Sequence, residues 1–284
     1  MSKHSIVIVA ARRTPIGAFQ GALGTVSAID LSAAATAACL DDCGLEPSAV
    51  DRVLLGCVLP AGLGQAPARQ AALAAGLPKE TACATLNKVC GSGMKAAMLA
   101  HDSIVAGNAG IVLCGGMESM SNAPYLLPKA RAGYRMGHQE VLDHMLLDGL
   151  QNPSDGNSMG HFAEITAAKY GFTRAAQDDF AIASVSRARA AAAAGRFADE
   201  ITPLTVTSRK GDWVVAEDEG PGRNELEKIP HLRPAFAKNG TVTAASSSSI
   251  SDGAASLLLM SESEAAKREL TVLARIAGQA EFAQ

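Results

Sequence analysis

The sequence predicts an α/β fold, and two observations support that prediction. Apolar, strand-like segments alternate with Ala-rich segments of helical spacing through the first part of the chain. Hydrophobic residues make up 48% of the 284 residues but aromatic residues only 4%, so the core is built from Ala, Val, Leu and Ile. Small side chains at this density suit closely packed helices and parallel strands. We therefore expect a mainly parallel sheet with helices on both of its faces.

The elements of the first part follow from hydrophobic periodicity and from the glycines and prolines at their ends. The apolar residues 6–10 form a buried first strand. The Ala-rich residues 29–43 form a helix, which Gly44 ends and Pro47 follows. The same reasoning gives the remaining order: a strand at 51–58, a helix at 65–75, a strand at 82–86, a helix that begins after Cys90, and a strand at 110–114.

The pattern changes after the last of these strands. Residues 119–157 combine Pro, Gly, Met, His and several charges without sustained periodicity, and they are too many for an ordinary connection. They predict an inserted lid or assembly loop. Two helices follow, at 159–170 and 174–194, the second introduced by Thr173 and ended by Gly195.

The α/β pattern returns near the end of the chain, after a short polar β region around Trp213. A strand at 256–260 is followed by a short helix up to Glu269, and a last apolar strand begins at Thr271. The sequence ends at Gln284, soon after that strand and without a covering helix. A chain that ends in this way is what we expect for a truncated fold.

Composition excludes several functional classes. The formal net charge is −3, which leaves no basic surface for nucleic acid, and no apolar run reaches membrane-spanning length. The six histidines show no metal-binding spacing, and Cys39 and Cys43 lack a second ligand pair, so no metal is expected. Six cysteines without an export signal predict free thiols in a reducing compartment, and hence a cytoplasmic protein.

Cys90 is the strongest candidate for a functional residue. A β-like segment leads into it, and a segment with Met94, Ala97 and Met98 at helical spacing leads out. The sulfur would therefore lie at a strand-to-helix turn, where the helix dipole favours the thiolate over the thiol. This is the thiol counterpart of the nucleophile elbow of serine hydrolases. The alternative is a buried cysteine that packs as a small hydrophobe, and local chemistry leaves both open.

Two further segments allow a functional and a structural interpretation. The run Ser246-Ser247-Ser248-Ser249 could hold an amide-bearing ligand in a turn, but a flexible linker is favoured on local grounds. Three cations between residues 129 and 135 could attract a polyanion such as a coenzyme phosphate, although such groups are more often solvated surface. These cations are Lys129, Arg131 and Arg135.

Several segments together resemble the thiolase family, the acetyl-CoA acetyltransferases and 3-ketoacyl-CoA thiolases. The resemblance extends along essentially the whole chain, in order. The matching motifs are Ala11-Arg12-Arg13-Thr14-Pro15-Ile16-Gly17, Asn87-Lys88-Val89-Cys90-Gly91-Ser92-Gly93, Gly115-Gly116-Met117-Glu118-Ser119-Met120-Ser121, Leu232-Arg233-Pro234-Ala235-Phe236, Gly240-Thr241-Val242-Thr243-Ala244 and Ser251-Asp252-Gly253-Ala254-Ala255.

This resemblance implies a thiolase-like fold, with the N-terminal half of a five-layered αβαβα core and an inserted loop domain. Residues 1–118 and 250–270 would form the N-terminal core domain that carries the nucleophile. Residues 119–249 would form the loop domain, which serves coenzyme A binding and assembly. Residues 271–284 would be the first strand of a truncated C-terminal domain.

The resemblance also implies the chemistry. The Cys90 thiolate would take an acyl group from a thioester, and its backbone N–H would donate to the oxyanion. The α-carbanion of acetyl-CoA would then attack this acyl-enzyme, or coenzyme A would cleave a 3-ketoacyl-CoA in reverse. The substrates are coenzyme A thioesters, no cofactor is implied, and a homodimer or tetramer is expected. The residues carried over to the pantetheine and acyl channel are Leu150, Ser158, Met159, Phe236, Ala244 and Ser248.

The chain departs from the family pattern at three places. Ser158 stands where acetoacetyl-specific members carry His, which weakens strict short-chain specificity, and Ser246 replaces the usual Asn. The family's second half supplies an Asn motif, a Gly-His-Pro histidine and a Cys-x-Gly cysteine, all of which would lie beyond Gln284. Because these groups activate Cys90 and serve the condensation, we expect this chain alone to perform the reaction poorly.

Two other functions remain open at this level. A ketoacyl-carrier-protein synthase would share the fold and a helix-capping cysteine, but the long inserted segment disfavours it. A non-catalytic fragment that binds coenzyme A or assembles with another subunit is the second alternative. Its uncovered apolar face would promote association.

Overall fold

The computed structural model describes residues 5–209 and 211–282, so the domain limits expected at residues 1 and 284 lie outside the described residues. The strands are β1 (Ile6–Arg13), β2 (Gly17–Ala18), β3 (Arg52–Gly56), β4 (Ala82–Leu86), β5 (Ile111–Ser119), β6 (Tyr125–Leu126), β7 (Leu142–Asp143), β8 (Leu204–Val206), β9 (Trp213–Val215), β10 (Ser251–Ser261) and β11 (Ala274–Arg275). The helices are α1 (Ala28–Cys43), α2 (Pro67–Ala74), α3 (Ser92–Val105), α4 (Met159–Tyr170), α5 (Arg174–Ala193), α6 (Glu219–Arg223) and α7 (Glu262–Lys267).

A seven-stranded sheet forms the centre of the molecule. Six of its strands follow the order β11-β1-β10-β5-β3-β4, and β2 pairs with the end of β10. β3 is parallel to β4 and β5, whereas β10 is antiparallel to both β1 and β5. The prediction of a mainly parallel sheet is therefore wrong, because β10 lies antiparallel between β1 and β5. The sheet is mixed. Residues 120–250, which separate β5 from β10 in the chain, are called the inserted segment below.

Helices cover both faces of the sheet, as the sequence predicted. Successive side chains of a strand point to opposite faces, and β3 shows the division. Val53 and Leu55 pack in the core cluster that includes Leu31 of α1 and Ala71 of α2. Leu54 packs in the second cluster, which includes Ala96 and Ala100 of α3.

β5 extends five residues beyond the predicted strand, through two glycines. Gly115 lies so close to β10 that a Cβ would overlap the backbone of Ala255. On the other face, a Cβ on Gly116 would lie 3.4 Å from the Cα of Gly93 in α3. The glycines therefore mark close packing on both sides of a continuing strand and not its end.

The predicted helices of the inserted segment are confirmed, and local capping explains why. Ser158 and Thr173 are the N-caps of α4 and α5, each accepting a hydrogen bond from a backbone N–H three residues on. Gly171 follows α4 in the left-handed conformation. Between β5 and α4, residues 120–157 include 3₁₀ turns, the short β6–β7 hairpin and a π-helix at Met145–Leu150.

The last described strand joins the main sheet. β11 pairs antiparallel with β1, with Val7 opposite Arg275 and Ile8 opposite Ala274. This pairing places the strand predicted from Thr271 at the sheet edge. None of the helices in the described ranges is long and apolar enough to cross a membrane.

Candidate active site

Cys90 lies in a tight turn between β4 and α3, two residues before the helix begins. Val89, directly before it, has a φ of +48°, in the left-handed region that a β-branched residue rarely adopts. Such backbone strain persists only where surrounding contacts fix the conformation, and it is found most often at functional sites. The turn thus presents the cysteine at a strand-to-helix junction, as expected from the sequence.

Ser92, the first residue of α3, holds this turn. Its hydroxyl accepts a hydrogen bond from the N–H of Lys88 at 2.8 Å and donates to the carbonyl of Val89 at 2.6 Å. Ser92 is itself buried against Gly56 of β3, where a Cβ would come within 2.5 Å of the Ser92 Cβ. The sheet therefore fixes the helix start, and the helix start fixes the turn.

Cys90 is the exposed member of the six free cysteines, all of which lie in the described ranges. The other five are buried or half-buried. Burial raises the pKa of three of these thiols to about 12: Cys39, Cys57 and Cys114. The alternative interpretation, in which Cys90 packs as a small buried hydrophobe, is therefore wrong.

The Cys90 side chain opens into a cleft of about 380 Å³. Backbone and small side chains from β3, β5 and β10 form most of its wall. The described residues that line it include no histidine. They are Arg13, Ile16, Gly56, Val58, Val89, Cys90, Ser92, Gly93, Gly116, Met117, Glu118, Met120, Ser251, Asp252, Gly253, Ala254 and Ala255.

Glu118 is one of two carboxylates in this cleft. It accepts hydrogen bonds from the N–H groups of Val58 and Leu59 at 2.9 and 3.0 Å. Burial raises the pKa of Glu118 above its ordinary value, and these hydrogen bonds only partly oppose that effect. Glu118 therefore fixes the backbone that follows β3 and forms part of the cleft wall.

Asp252 is the second carboxylate, and it is fully buried. It accepts hydrogen bonds from the backbone N–H of Ser121 at 2.9 Å and from the Ser121 hydroxyl at 2.5 Å. Asp252 thereby connects β10 to the first residues of the inserted segment.

The third charged group, Arg13, donates to Asp218 at 2.6 and 2.9 Å and to Glu200 at 2.7 Å. It thus connects β1 to a later part of the inserted segment. All three charged groups of the cleft are therefore engaged in holding its walls.

None of the six residues predicted to line the coenzyme A channel borders this cleft. They lie on neighbouring segments: Leu150 at the end of the π-helix, Ser158 and Met159 at the start of α4, Phe236 after Pro234, and Ala244 and Ser248 in the serine-rich turn.

Contacts at the start of α4 bring four of these residues together: Leu150, Ser158, Met159 and Phe236. A β-bridge between Gln151 and Ser158 places Leu150 near the start of α4. The ring of Phe236 packs so closely on Gly160 that a Cβ there would overlap it. Ser248 is three residues before Ser251, which lines the Cys90 cleft. Their role as ligand contacts stays a prediction.

The serine run forms an ordered turn, so the flexible-linker interpretation is wrong. The hydroxyl of Ser246 accepts from the N–H of Thr243 at 2.9 Å, and the hydroxyl of Ser247 donates to the carbonyl of Thr243 at 2.5 Å. Such local hydrogen bonds are typical of serine turns. Ser248 and Ser249 are left exposed at the surface of this turn.

The three cations at positions 129, 131 and 135 lie in the loop that joins β6 to β7, and all are exposed. A role in binding coenzyme phosphates stays a prediction. In the described ranges, no group of three or more His, Cys, Asp or Glu side chains could hold a metal ion.

Sequence reasoning assigned no role to Glu118 or Asp252, although both lie within the motifs it singled out. Their hydrogen-bond partners are about 60 and 131 residues away in sequence, so spacing alone could not reveal them. An acidic residue inside an otherwise apolar strand was the available signal, because a buried carboxylate requires partners.

Comparison with known proteins supports one family. Residues 6–263 match the family described as "Thiolase, N-terminal domain". The acetyl-CoA acetyltransferase of Rhizobium meliloti strain 1021 is 50% identical over 277 residues, which cover 97% of this chain and 70% of that protein. The acetyl-CoA acetyltransferase 2 of Arabidopsis thaliana is 47% identical over 287 residues, covering 100% of this chain and 71% of that protein.

A solved structure agrees in fold. The crystal structure of the Bacillus anthracis acetyl-CoA acetyltransferase superimposes with a TM-score of 0.93 at 40% identity, covering 97% of this chain and 70% of that one. The mixed sheet, the helices on both faces and the motif around Cys90 fit these matches. The chain belongs to the thiolase family.

Proposed function

We propose that this protein is an acyltransferase of the thiolase type, an acetyl-CoA C-acetyltransferase, with Cys90 as its nucleophile. One observation carries the proposal: an exposed thiol in a strained turn opens into a cleft at the start of a helix, in a chain of this family. Relatives from Rhizobium meliloti and Arabidopsis thaliana carry the name acetyl-CoA acetyltransferase.

In the first half of the reaction, the Cys90 thiolate attacks the carbonyl carbon of an acyl-CoA. A new C–S bond forms to Cys90, and the C–S bond to coenzyme A breaks, releasing the coenzyme as its thiol once it takes up a proton. The exchange of one thioester for another is nearly balanced in energy, which suits a sulfur nucleophile. The N-terminal end of α3 supports the developing negative charge.

In the second half, the α-carbanion of acetyl-CoA attacks the acyl carbon. A C–C bond forms, the bond to Cys90 breaks, and a 3-ketoacyl-CoA leaves; thiolysis by coenzyme A is the reverse. Forming the carbanion requires a base. Glu118 and Asp252 are the carboxylates among the described cleft residues, and both already accept hydrogen bonds from the protein. The described cleft is therefore best suited to the acyl-transfer half.

The proposal includes the ligands and their location. The substrates are acetyl-CoA and acyl-CoA or 3-ketoacyl-CoA, used without a further cofactor, and fatty acid metabolism is the corresponding process. The cations of the β6–β7 loop would attract the coenzyme phosphates. Six free thiols favour a reducing compartment, which supports a cytoplasmic location.

We also propose that the protein is a homodimer or tetramer. β4 lies at the edge of the main sheet and consists of five uncharged residues, Ala82–Leu86, which are exposed or half-buried. An uncharged edge strand readily pairs with another chain. Because β4 leads directly into the turn that carries Cys90, pairing there would support the turn.

The experiment is to incubate the protein with isotope-labelled acetyl-CoA and to map the adduct by mass spectrometry. We expect one acetyl group, on Cys90, and none in Cys90→Ser. Cys83→Ser is the control, since it removes a half-buried thiol and should leave labelling unchanged. Label on another cysteine would contradict the proposal, and coenzyme A binding without an adduct would indicate a binding module.

A further inference from the structure

Glu164 of α4 is half-buried and binds the backbone of the chain just before the serine-rich turn. Its carboxylate accepts hydrogen bonds from the N–H of Thr241 at 2.9 and 3.1 Å and from the N–H of Val242 at 2.9 Å. The hydroxyl of Thr241 approaches the same carboxylate at 3.3 Å. One charged side chain thus satisfies two successive backbone donors, which gives hydrogen bonds of the stronger, charge-assisted kind.

Close packing fixes this arrangement. A Cβ on Gly240 would overlap the Glu164 carboxylate, so the absence of a side chain at Gly240 leaves room for that carboxylate beside the N–H groups of Thr241 and Val242. Burial alone would raise the pKa of Glu164, but the hydrogen bonds from Thr241 and Val242 outweigh it and hold that pKa below its ordinary value. The carboxylate is therefore charged at neutral pH.

The hydrogen bonds to Glu164 also control the position of Phe236. The N–H of Ala235 donates to the carbonyl of Val242 at 2.9 Å, so the residues held by Glu164 hold the segment with Phe236 in turn. The ring of Phe236 then packs on Gly160, one helical turn before Glu164.

Glu164 therefore connects two walls of the predicted coenzyme A channel. Met159 lies at the start of its own helix, Phe236 lies on the segment it holds through Val242, and Ala244 and Ser248 follow the residues it binds directly. We infer that Glu164 is a positioning residue that sets the separation of these walls, and so the affinity for the pantetheine arm of a coenzyme A thioester. The inference rests on the proposed function, since it assumes that this channel receives coenzyme A.

The test is the binding of coenzyme A and the acylation of Cys90 in Glu164→Gln and Glu164→Ala. Glutamine has the same size but is neutral and carries an NH₂ group in place of one oxygen, so its single oxygen can accept only uncharged hydrogen bonds from Thr241 and Val242. We expect the dissociation constant of coenzyme A to rise about threefold in Glu164→Gln, which keeps weaker neutral hydrogen bonds, and about tenfold in Glu164→Ala, which keeps none. The maximal acylation rate at saturating acetyl-CoA should stay within about twofold of the parent, since Cys90 and its turn are untouched.

Glu80→Gln is the matched control, because it makes the same chemical change at an exposed position whose nearest cation, Lys79, is 3.9 Å away. Glu80→Gln should change neither the dissociation constant of coenzyme A nor the maximal acylation rate. Amide hydrogen exchange at Thr241 and Val242 gives a second measurement, and both amides should exchange faster in the two Glu164 variants.

The outcomes separate this inference from the proposed function. Unchanged coenzyme A affinity despite faster exchange at Thr241 and Val242 would overturn the inference alone. An equal fall in affinity and maximal rate would also overturn it, because that result indicates a general structural role. Binding of coenzyme A that weakens as expected, without any acetyl adduct on Cys90, would overturn the proposed function and leave the inference standing.

Discussion

At the scale of single residues, the exposure of Cys90 depends on a hydrogen-bonded serine. Ser92 satisfies the N–H of Lys88 and donates to the carbonyl of Val89, the residue with the strained backbone. The N–H of Val89 also donates to Oδ1 of Asn87 at 2.8 Å, so side chains on both sides of Val89 hold its positive φ. The hydrogen bonds of its neighbours in the turn therefore help to set the position of the sulfur.

We expect Ser92→Ala to relax the turn. The substitution leaves the N–H of Lys88 without its acceptor, so the free energy of unfolding should fall by about 1–3 kcal/mol. Acylation of Cys90 by acetyl-CoA should slow by about tenfold, because a misplaced nucleophile loses its alignment with the carbonyl. Urea denaturation and time-resolved mass spectrometry of the adduct measure the two effects.

Ser103→Ala is the control for this substitution. Ser103 is buried on the same helix, and its hydroxyl accepts from Arg52 at 3.0 Å, far along α3 from Cys90. It should lower stability without slowing acylation. Equal slowing in both variants would show that helix stability, and not the turn, governs Cys90.

The sequence predicts the strand-to-helix turn at Cys90 because the signal there is local. Cys90 is found because a strand, a glycine-flanked turn and a helical pattern follow one another within a few residues. Glu118 and Asp252 are not assigned, because their partners Val58 and Ser121 become neighbours only when β5 and β10 pair. Long-range pairing is what sequence spacing cannot supply.

At the scale of elements, the start of α3 depends on the absence of a side chain in β3. A Cβ on Gly56 would meet the Ser92 Cβ at 2.5 Å and the N–H nitrogen of Gly93 at 2.9 Å. The contact is with the backbone of the helix as well as with a side chain, so rotation of a side chain cannot relieve it.

Gly56→Ala should therefore push the first turn of α3 away from the sheet. We expect the free energy of unfolding to fall by about 1–3 kcal/mol, the usual cost of overpacking, and labelling of Cys90 to weaken. Gly222→Ala is the control, since a Cβ at Gly222 meets no atom within 4 Å. Chemical denaturation of both variants checks the prediction, and equal midpoints would contradict it.

The predicted elements agree with the observed ones where the sequence signal is local, and they differ where the structure depends on long-range pairing. α4 and α5 match their predicted bounds to within a residue, because their caps, Ser158 and Thr173, act within one turn. β10 is longer than predicted and runs antiparallel to both neighbours. The direction of β10 depends on where the inserted segment returns to the core. No local pattern in residues 251–261 indicates that direction.

At the scale of the whole molecule, carboxylates of the inserted segment hold the core segment after β1. Glu219 accepts hydrogen bonds from the N–H groups of Ala18 and Ala22 at 2.9 and 3.0 Å. Asp218 accepts from the N–H of Ile16 at 2.8 Å and pairs with Arg13. Since Ile16 and Arg13 line the Cys90 cleft, these contacts connect the inserted segment to the site.

The pH dependence of the stability of Glu219→Gln should reveal this connection. Burial acts to raise the pKa of Glu219, but the N–H groups of Ala18 and Ala22, helped by Arg223, outweigh it and lower that pKa. A lowered folded-state pKa stabilises the fold above the ordinary pKa of glutamate, and this stabilisation is lost as pH falls through the folded value.

At pH 7 the free energy of unfolding of the parent should exceed that of Glu219→Gln by about 1–2 kcal/mol, because the substitution removes hydrogen bonds to a charged group. The difference should shrink towards zero in acid, below the ordinary range of glutamate. Denaturation series at several pH values measure it, with the exposed Glu225→Gln as control. A difference that is independent of pH would contradict the ionic origin.

The proposed assembly through β4 is tested at the same scale. If two copies pair along this edge, a charge on each strand would face its counterpart across the interface, and like charges directly opposite are destabilising. Ala84 is exposed on β4, opposite Leu54 of β3 in the register. Ala84→Lys should therefore dissociate the assembly without harming the fold.

Ala193→Lys, at an exposed position on α5, is the control and should keep the molecular mass of the parent assembly. Light scattering over a range of concentrations measures both variants, and a parent protein that stays monomeric at high concentration would refute the proposed assembly.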